Sequence, residues 1–213
     1  MKNQLKLYRL LAWVWVLVLG FVLPAYAQQE EARDILRRAA DTFLRSGGVN
    51  ASFSVRSSEG SYAGAIRLKA EKFVLEAGGM TTWFDGHTQW TYLPESDEVN
   101  ISEPTPEELQ TINPYAWLSL YDRGYDLNLL PAETSGQYKV EMLARSSEAQ
   151  VSRLVLWLDK SSLQPVKFSL TLSGNVEPTE IIVRAYRTGQ TYADRQFVFN
   201  PSEYPTAEVI DLR

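Results

Sequence analysis

Two periodicities divide the chain. From Glu30 to Ser46 apolar residues recur at steps of three and four, at Ala32, Ile35, Leu36, Ala39 and Phe43. That stripe predicts one amphipathic helix laid against a sheet, with Gly47-Gly48 as its stop. From Val49 the period falls to two. Phe53 and Val55 alternate with polar residues. Gly64, Ile66 and Leu68 share a face opposite Ala63, Ala65 and Arg67, and Phe73 and Leu75 continue the alternation. Residues Thr81 to Phe84 and His87 to Tyr92 flank Asp85-Gly86, a dipeptide that tolerates positive φ at both positions and so predicts a two-residue hairpin. A further strand is expected at Asp97 to Ile101.

The middle of the chain breaks this rhythm. Thr105-Pro106-Glu107-Glu108 has the form of a capping box with proline at the first helical position, and Asn113-Pro114 opens a second short helix, apolar on most faces, that stops near Gly124. Strands then return at Tyr125 to Leu129, Gln137 to Ala144, Val151 to Leu158, Pro165 to Leu172, Pro178 to Tyr186 and Gln196 to Phe199. Turn signals between them include Asp159-Lys160-Ser161-Ser162, Ser173-Gly174-Asn175 and Thr188-Gly189-Gln190. This is the spacing of an antiparallel meander, without the alternation of strand and helix that a parallel sheet requires. A sheet of about ten strands must twist, curl or split. A curled sheet has a hollow side, and two helices are too few to fill it.

Upstream of the helix, Lys2, Lys6 and Arg9 precede an apolar run from Leu10 to Leu23, and Ala25-Tyr26-Ala27 follows Pro24. The run is shorter than the ~20 residues a membrane span needs. It reads as an export signal, residues 1–27, cleaved after Ala27. The remaining domain, residues 28–213, would reach the periplasm as a soluble monomer. Cysteine is absent, so no disulfide supports the fold, and the cleavage site lacks the cysteine that lipidation would use. The whole chain carries a net charge of −5; losing the three basic residues of the signal takes it to −8. Such a surface repels phosphate backbones, which argues against nucleic-acid binding.

Catalytic patterns are weak. The single histidine, His87, sits at a hairpin turn, and with no cysteine there is no metal-ligand set or paired nucleophile and base. No glycine loop has the setting of a phosphate cradle, and Glu107-Glu108 belongs to a helix cap. An enzyme is not expected, and no cofactor is implied. The informative residues are apolar. Trp90 and Tyr92 share one face of their strand. Val155 and Trp157 share one face of theirs while Leu154, Leu156 and Leu158 share the other, so that strand is covered on both sides. Phe168, Leu170 and Leu172 repeat the pattern. Either a sandwiched core or the lining of a ligand cavity fits it.

Several segments, taken in order, carry a family resemblance. Asp85-Gly86-His87-Thr88-Gln89-Trp90-Thr91-Tyr92-Leu93-Pro94 resembles the Asp-Gly-x-x-x-Trp-x-Tyr-x-Pro hairpin of LolA, the periplasmic lipoprotein carrier of two-membrane bacteria. Gly64-Ala65-Ile66-Arg67-Leu68-Lys69 with Phe73 is similar to that family's glycine strand and the strand after it. Asn113-Pro114-Tyr115-Ala116-Trp117-Leu118 stands where the family has a proline-led lid helix. Phe197-Val198-Phe199-Asn200-Pro201 and Glu208-Val209-Ile210-Asp211 resemble its closing segments. The resemblance implies an α+β, mainly β fold: a single antiparallel, strongly curved sheet forming an incomplete β-barrel, with an N-terminal helix and short lid helices. One step departs from the pattern. The family's basic-Arg-Pro sequence, whose arginine latches the lid from inside, reads Lys69-Ala70-Glu71 here. Strand parity puts Ala70 inward and Lys69 outward.

On this reading the apolar hollow is lined by Phe53, Val55, Ile66, Leu68, Phe73, Leu75, Trp90, Tyr92, Val155, Trp157 and Phe168. Tyr115, Leu118 and Leu120 form the lid. A charge at Trp90 or Leu68 is expected to abolish ligand binding with the fold intact. The resemblance implies acylated lipoproteins or free lipid as cargo, taken from an inner-membrane ABC-type donor to an outer-membrane acceptor. A second role on the same fold is a periplasmic lipid-sensing or regulatory adaptor.

Overall fold

The computed structural model describes residues 27–106, 108–109, 121 and 124–213. Residues 1–26 of the expected leader lie outside the described residues, as do Tyr115, Leu118 and Leu120 of the expected lid.

Helix α1 covers residues 27–45. Its buried side chains are the five of the predicted stripe, Ala32, Ile35, Leu36, Ala39 and Phe43. Its solvent side carries pairs one turn apart, including Arg37 with Asp34 and Arg45 with Asp41. Gly47, at φ +74°, takes the left-handed conformation that ends the helix.

Strands follow in two runs. The first is β1 (Gly48–Ser57), β2 (Gly60–Lys69), β3 (Lys72–Ala77), β4 (Met80–Phe84), β5 (Gln89–Leu93) and β6 (Glu98–Ser102). The second is β7 (Tyr125–Leu130), β8 (Gln137–Ala144), β9 (Val151–Asp159), β10 (Pro165–Leu172) and β11 (Thr179–Gln190), with β12 (Glu208–Asp211) after two 3₁₀ helices at Asp194–Phe197 and Pro201–Glu203. All twelve strands form one sheet in the order β12-β6-β5-β4-β3-β2-β1-β11-β10-β9-β8-β7. Each run is therefore an antiparallel meander, and the long strands β1 and β11 join them. The sheet is open, with β12 and β7 at its edges, in the manner of an incomplete barrel.

Three local expectations change. Gln196 to Phe199 is not a strand: Phe197 ends a 3₁₀ helix whose side chain is wholly buried, so its aromatic alternation reflects packing against the sheet. The true last strand, β12, pairs parallel to β6, an exception in an otherwise antiparallel sheet. The loop Asp85–Thr88 bends around Gly86 and His87, one residue later than expected. The Asp85 carboxylate accepts the backbone N–H groups of His87 and Thr88 at 2.9 and 2.8 Å, and only Gly86 needs positive φ (+103°).

The capping box does form. Thr105 Oγ1 accepts the Glu108 N–H at 3.3 Å, and the Glu108 carboxylate accepts the Thr105 N–H at 2.8 Å.

Candidate functional site

The register across the sheet defines an inner face, the one under α1. Val49, Leu68, Phe73 and Phe84 stand in one row across β1 to β4; Ala51, Ile66 and Leu75 form the next row; Phe53 lies opposite Gly64, and Val55 opposite Tyr62. On the other side of β1 the same face continues through Val183 and Ile181, then Phe168, Leu156, Val140 and Leu129. Apart from Gly64 and Tyr62, these residues and the stripe of α1 make one continuous core. Leu109 and Tyr121, either side of the expected lid residues, pack against it.

Gly64 is a glycine for a steric reason. A Cβ there would lie 2.5 Å from Phe53 Cζ and 2.8 Å from the Glu76 carbonyl, so the Phe53 ring lies over the bare backbone.

The inner face is not covered throughout. Leu68 and Phe73 have no exposed surface, whereas Leu75, Ala77, Ile181 and Val183 are half-buried, and Tyr62 and Met80 are 46% and 44% exposed. The face thus has a closed part under α1 and an apolar margin that reaches solvent.

Seven of the eleven expected lining residues belong to this face: Phe53, Val55, Ile66, Leu68, Phe73, Leu75 and Phe168. Four do not. Trp90 and Tyr92 lie on the outer face, because Trp90 pairs with Trp83 and Tyr92 with Val99, which pack with Val74, Phe197 and Phe199 into a second core. The C-terminal segment seals it. Tyr204 sets its ring centroid 4.6 Å from Tyr92 and 5.6 Å from Trp83, and Phe199 lies 5.6 Å from Trp83. Lys69 Nζ fastens that segment by donating to the Tyr192 carbonyl at 2.9 Å and to Asp194 at 2.7 Å, with Lys72 3.0 Å from Asp194. The two lysines hold the Asp194 carboxyl below its usual range.

Lys69 therefore points outward, as expected, but Ala70 does not point inward. Strand β2 ends at Lys69, and Ala70 is an exposed turn residue at φ +52°.

Val155 and Trp157 are likewise on the outer face, since Leu154, Leu156 and Leu158 take the inner one. Long charged side chains roof them. The ammonium groups of Lys139 and Lys167 each lie 4.9 Å from the Trp157 ring centre, and the indole N–H donates to Glu133 at 2.7 Å. Glu133 also accepts from Lys139 at 2.7 Å, and these two hydrogen bonds, that of Lys139 first, bring its pKa down to about 2.

At β4 to β6 the inner rows turn polar. The row that ends in Phe84 continues as Gln89 and Ser102, and the row through Leu75 continues as Thr82, Thr91 and Asn100. An open cleft of about 640 Å³ adjoins this end, walled by Gln89, Ser102, Glu103, Pro104, Glu108, Leu212 and Arg213. Among the described residues no group of acids and histidines is arranged to hold a metal. His87 is an exposed turn residue 3.4 Å from Glu103.

The model of the family described as outer membrane lipoprotein carrier protein LolA matches residues 23–172, more than half of the chain. The protein belongs to the LolA family. No curated protein matches it. An uncharacterized conserved protein from Thermus thermophilus has the same fold, with a TM-score of 0.60 at 17% identity over 85% of this chain and 99% of that one. A putative outer membrane lipoprotein-sorting protein domain from Vibrio parahaemolyticus gives a TM-score of 0.46 at 14% identity, over 83% and 99% of the two chains. A LolA superfamily protein from Nitrosomonas europaea gives 0.43 at 13%, over 79% and 97%. The family's description is that of a carrier protein. Among the described residues no helix is long and apolar enough to cross a membrane.

In this LolA-family chain the sequence reading missed the inner residues of the second meander, Ile181, Val183, Val140 and Leu127, and the margin residues Tyr62 and Met80. Each is in the inner phase of its strand; only cross-strand register shows which phase is inner.

Proposed function

We propose that the protein is a periplasmic carrier that shields the acyl chains of lipoproteins, or of free lipid, on the inner face of its open sheet and conveys them from an inner-membrane donor toward the outer membrane. One observation carries this reading: the inner face is predominantly apolar from β7 through β11 and β1 to β3, and its margin at Leu75, Ala77, Tyr62, Met80, Ile181 and Val183 is left partly open to solvent. Each methylene moved from water into such a surface gains about 0.8 kcal/mol, so an acyl chain has a strong reason to enter. Leu68 and Phe73 are already covered, so chains begin at the margin and reach the centre only as the covering elements shift. Tyr115, Leu118 and Leu120, between the core-packed anchors Leu109 and Tyr121, are the lid in this proposal. Family membership supports the cargo class.

The test is organic extraction of the protein purified from the periplasm, with mass spectrometry of the extract and transfer of labelled triacylated lipopeptide to acceptor vesicles. Co-purified acyl lipid and transfer faster than without protein are expected. Absence of both would overturn the reading; acyl lipid without transfer would favour a lipid-binding role other than carriage.

A further inference from the structure

We propose that the polar end of the inner face, formed by Thr82, Gln89, Thr91, Asn100 and Ser102, binds the uncharged hydrogen-bonding head of an acylated ligand, a glyceryl ester or acyl amide. The chains of that ligand lie on the apolar rows beside it. This inference rests on the acyl-chain reading above and adds where the head sits and what chemistry it has.

The change in character is abrupt and occurs within single rows. Val49, Leu68, Phe73 and Phe84 are followed by Gln89 and Ser102; Ala51, Ile66 and Leu75 are followed by Thr82, Thr91 and Asn100. On the opposite face of the same strands, Trp83, Trp90, Tyr92 and Val99 build an apolar core. Thr82 is buried and the other four are half-buried.

The five groups do not satisfy one another. The Thr82 and Thr91 hydroxyls lie 3.3 Å apart, and Gln89 Nε2 donates to Thr91 Oγ1 at 3.4 Å. The other amide atom of Gln89, Oε1, is shielded from solvent and has no hydrogen-bond partner among the described residues. Such an atom costs stability unless something donates to it. A ligand amide N–H or glyceryl O–H would do so.

Access and charge agree with this occupant. Gln89 and Ser102 are shared by the polar rows and the wall of the open cleft, so a head placed there reaches solvent while its chains run inward past Phe84 and Leu75. The cleft wall carries Glu103 and Glu108, and its one cation, Arg213, is paired with Asp211 at 2.6 Å among the described residues. A phosphate head would meet two carboxylates and an occupied guanidinium; an uncharged head meets hydroxyls and amides.

The experiment uses the exported protein, with dioctanoylglycerol and dioctanoyl phosphatidic acid competing against the uncharged reporter N-phenylnaphthylamine. The wild type is expected to bind dioctanoylglycerol more tightly than the phosphatidic acid. Gln89→Leu with Thr91→Val, which keep size and remove hydrogen bonding, should weaken dioctanoylglycerol about tenfold, the loss expected for two ordinary hydrogen bonds. Reporter affinity should stay unchanged. Ser102→Ala is a milder variant in case the double change impairs folding, and should weaken it about threefold. Unchanged dioctanoylglycerol affinity in a folded variant, or a wild-type preference for phosphatidic acid, would overturn the head site and leave the acyl-chain reading standing. Failure of the wild type to bind reporter and dioctanoylglycerol alike would overturn both.

Discussion

The two faces of the sheet are both rich in large apolar side chains, yet they are closed in different ways. On the outer face the chain supplies a cover for the large aromatics: Phe197, Phe199 and Tyr204 seal Trp83 and Tyr92, and lysine stems roof Trp157. On the inner face the described cover is mainly one helix, and an apolar margin is left partly bare. The outer aromatics are thus committed to stability. On the inner face the bare apolar margin adjoins the main core, and that is the surface the proposal offers to a ligand.

The comparison can be broken at several points. The largest effect is expected at Phe197→Ala on the sealed side, where removing a fully buried ring costs about 3–5 kcal/mol. Thermal unfolding should show a marked loss of Tm, while the folded fraction binds acyl ligand as before. A change in affinity without a change in Tm would contradict the division between faces. Next is Gly64→Val. Its Cβ would press on Phe53 and the Glu76 carbonyl, for a loss of about 1–3 kcal/mol in denaturant titration; wild-type stability would show that the contact relaxes freely. Third, Tyr62→Glu with Met80→Lys at the open margin should leave stability within about 0.5 kcal/mol per site and reduce acyl-ligand binding several-fold. Native mass spectrometry against a medium-chain fatty ester reads this, and full binding would remove the margin from the entry route.

The smallest effect concerns pH. The hydrogen bonds from Lys139 and Trp157 lower the Glu133 pKa from an ordinary 4.5 to about 2. Its contribution is therefore complete above 4.5 and is lost as pH falls toward 2. Tryptophan emission should shift in that window, and the part of the shift due to Trp157 should be missing in Glu133→Gln. Identical titrations in the two proteins would remove Glu133 as the anchor of the indole.

The same comparison shows how far the sequence could be read. Helix α1, its five buried residues, the capping box at Thr105 and most strands follow from local periodicity and turn chemistry. A period of two sorts side chains into two faces without saying which is inside. Parity groups Trp90 with Tyr92 and Val155 with Trp157 correctly, yet all four lie on the outer face. What decides the matter is distant in the chain: Lys69 and Asp194 are 125 positions apart, and the lysines over Trp157 come from neighbouring strands. The polar run at Thr82, Gln89 and Thr91 is legible as a phase, but local pattern favours the aromatics that alternate with it as the inner set. Seven of the residues expected to line the hollow, Phe53, Val55, Ile66, Leu68, Phe73, Leu75 and Phe168, share the face that packs with the helix stripe.

The parallel strand β12 has a consequence for assembly. Until residues near 208–211 have emerged, β6 presents unpaired backbone N–H and C=O groups, and a chain interrupted before that point carries a ready template for another molecule's strand. Glu208 N–H meets the Asp97 carbonyl at 2.9 Å and Leu212 N–H meets that of Ile101 at 2.9 Å, so the tail acts as a self-supplied edge guard. Shortening it should show itself first as aggregation during production, before any loss of ligand affinity in the molecules that remain single.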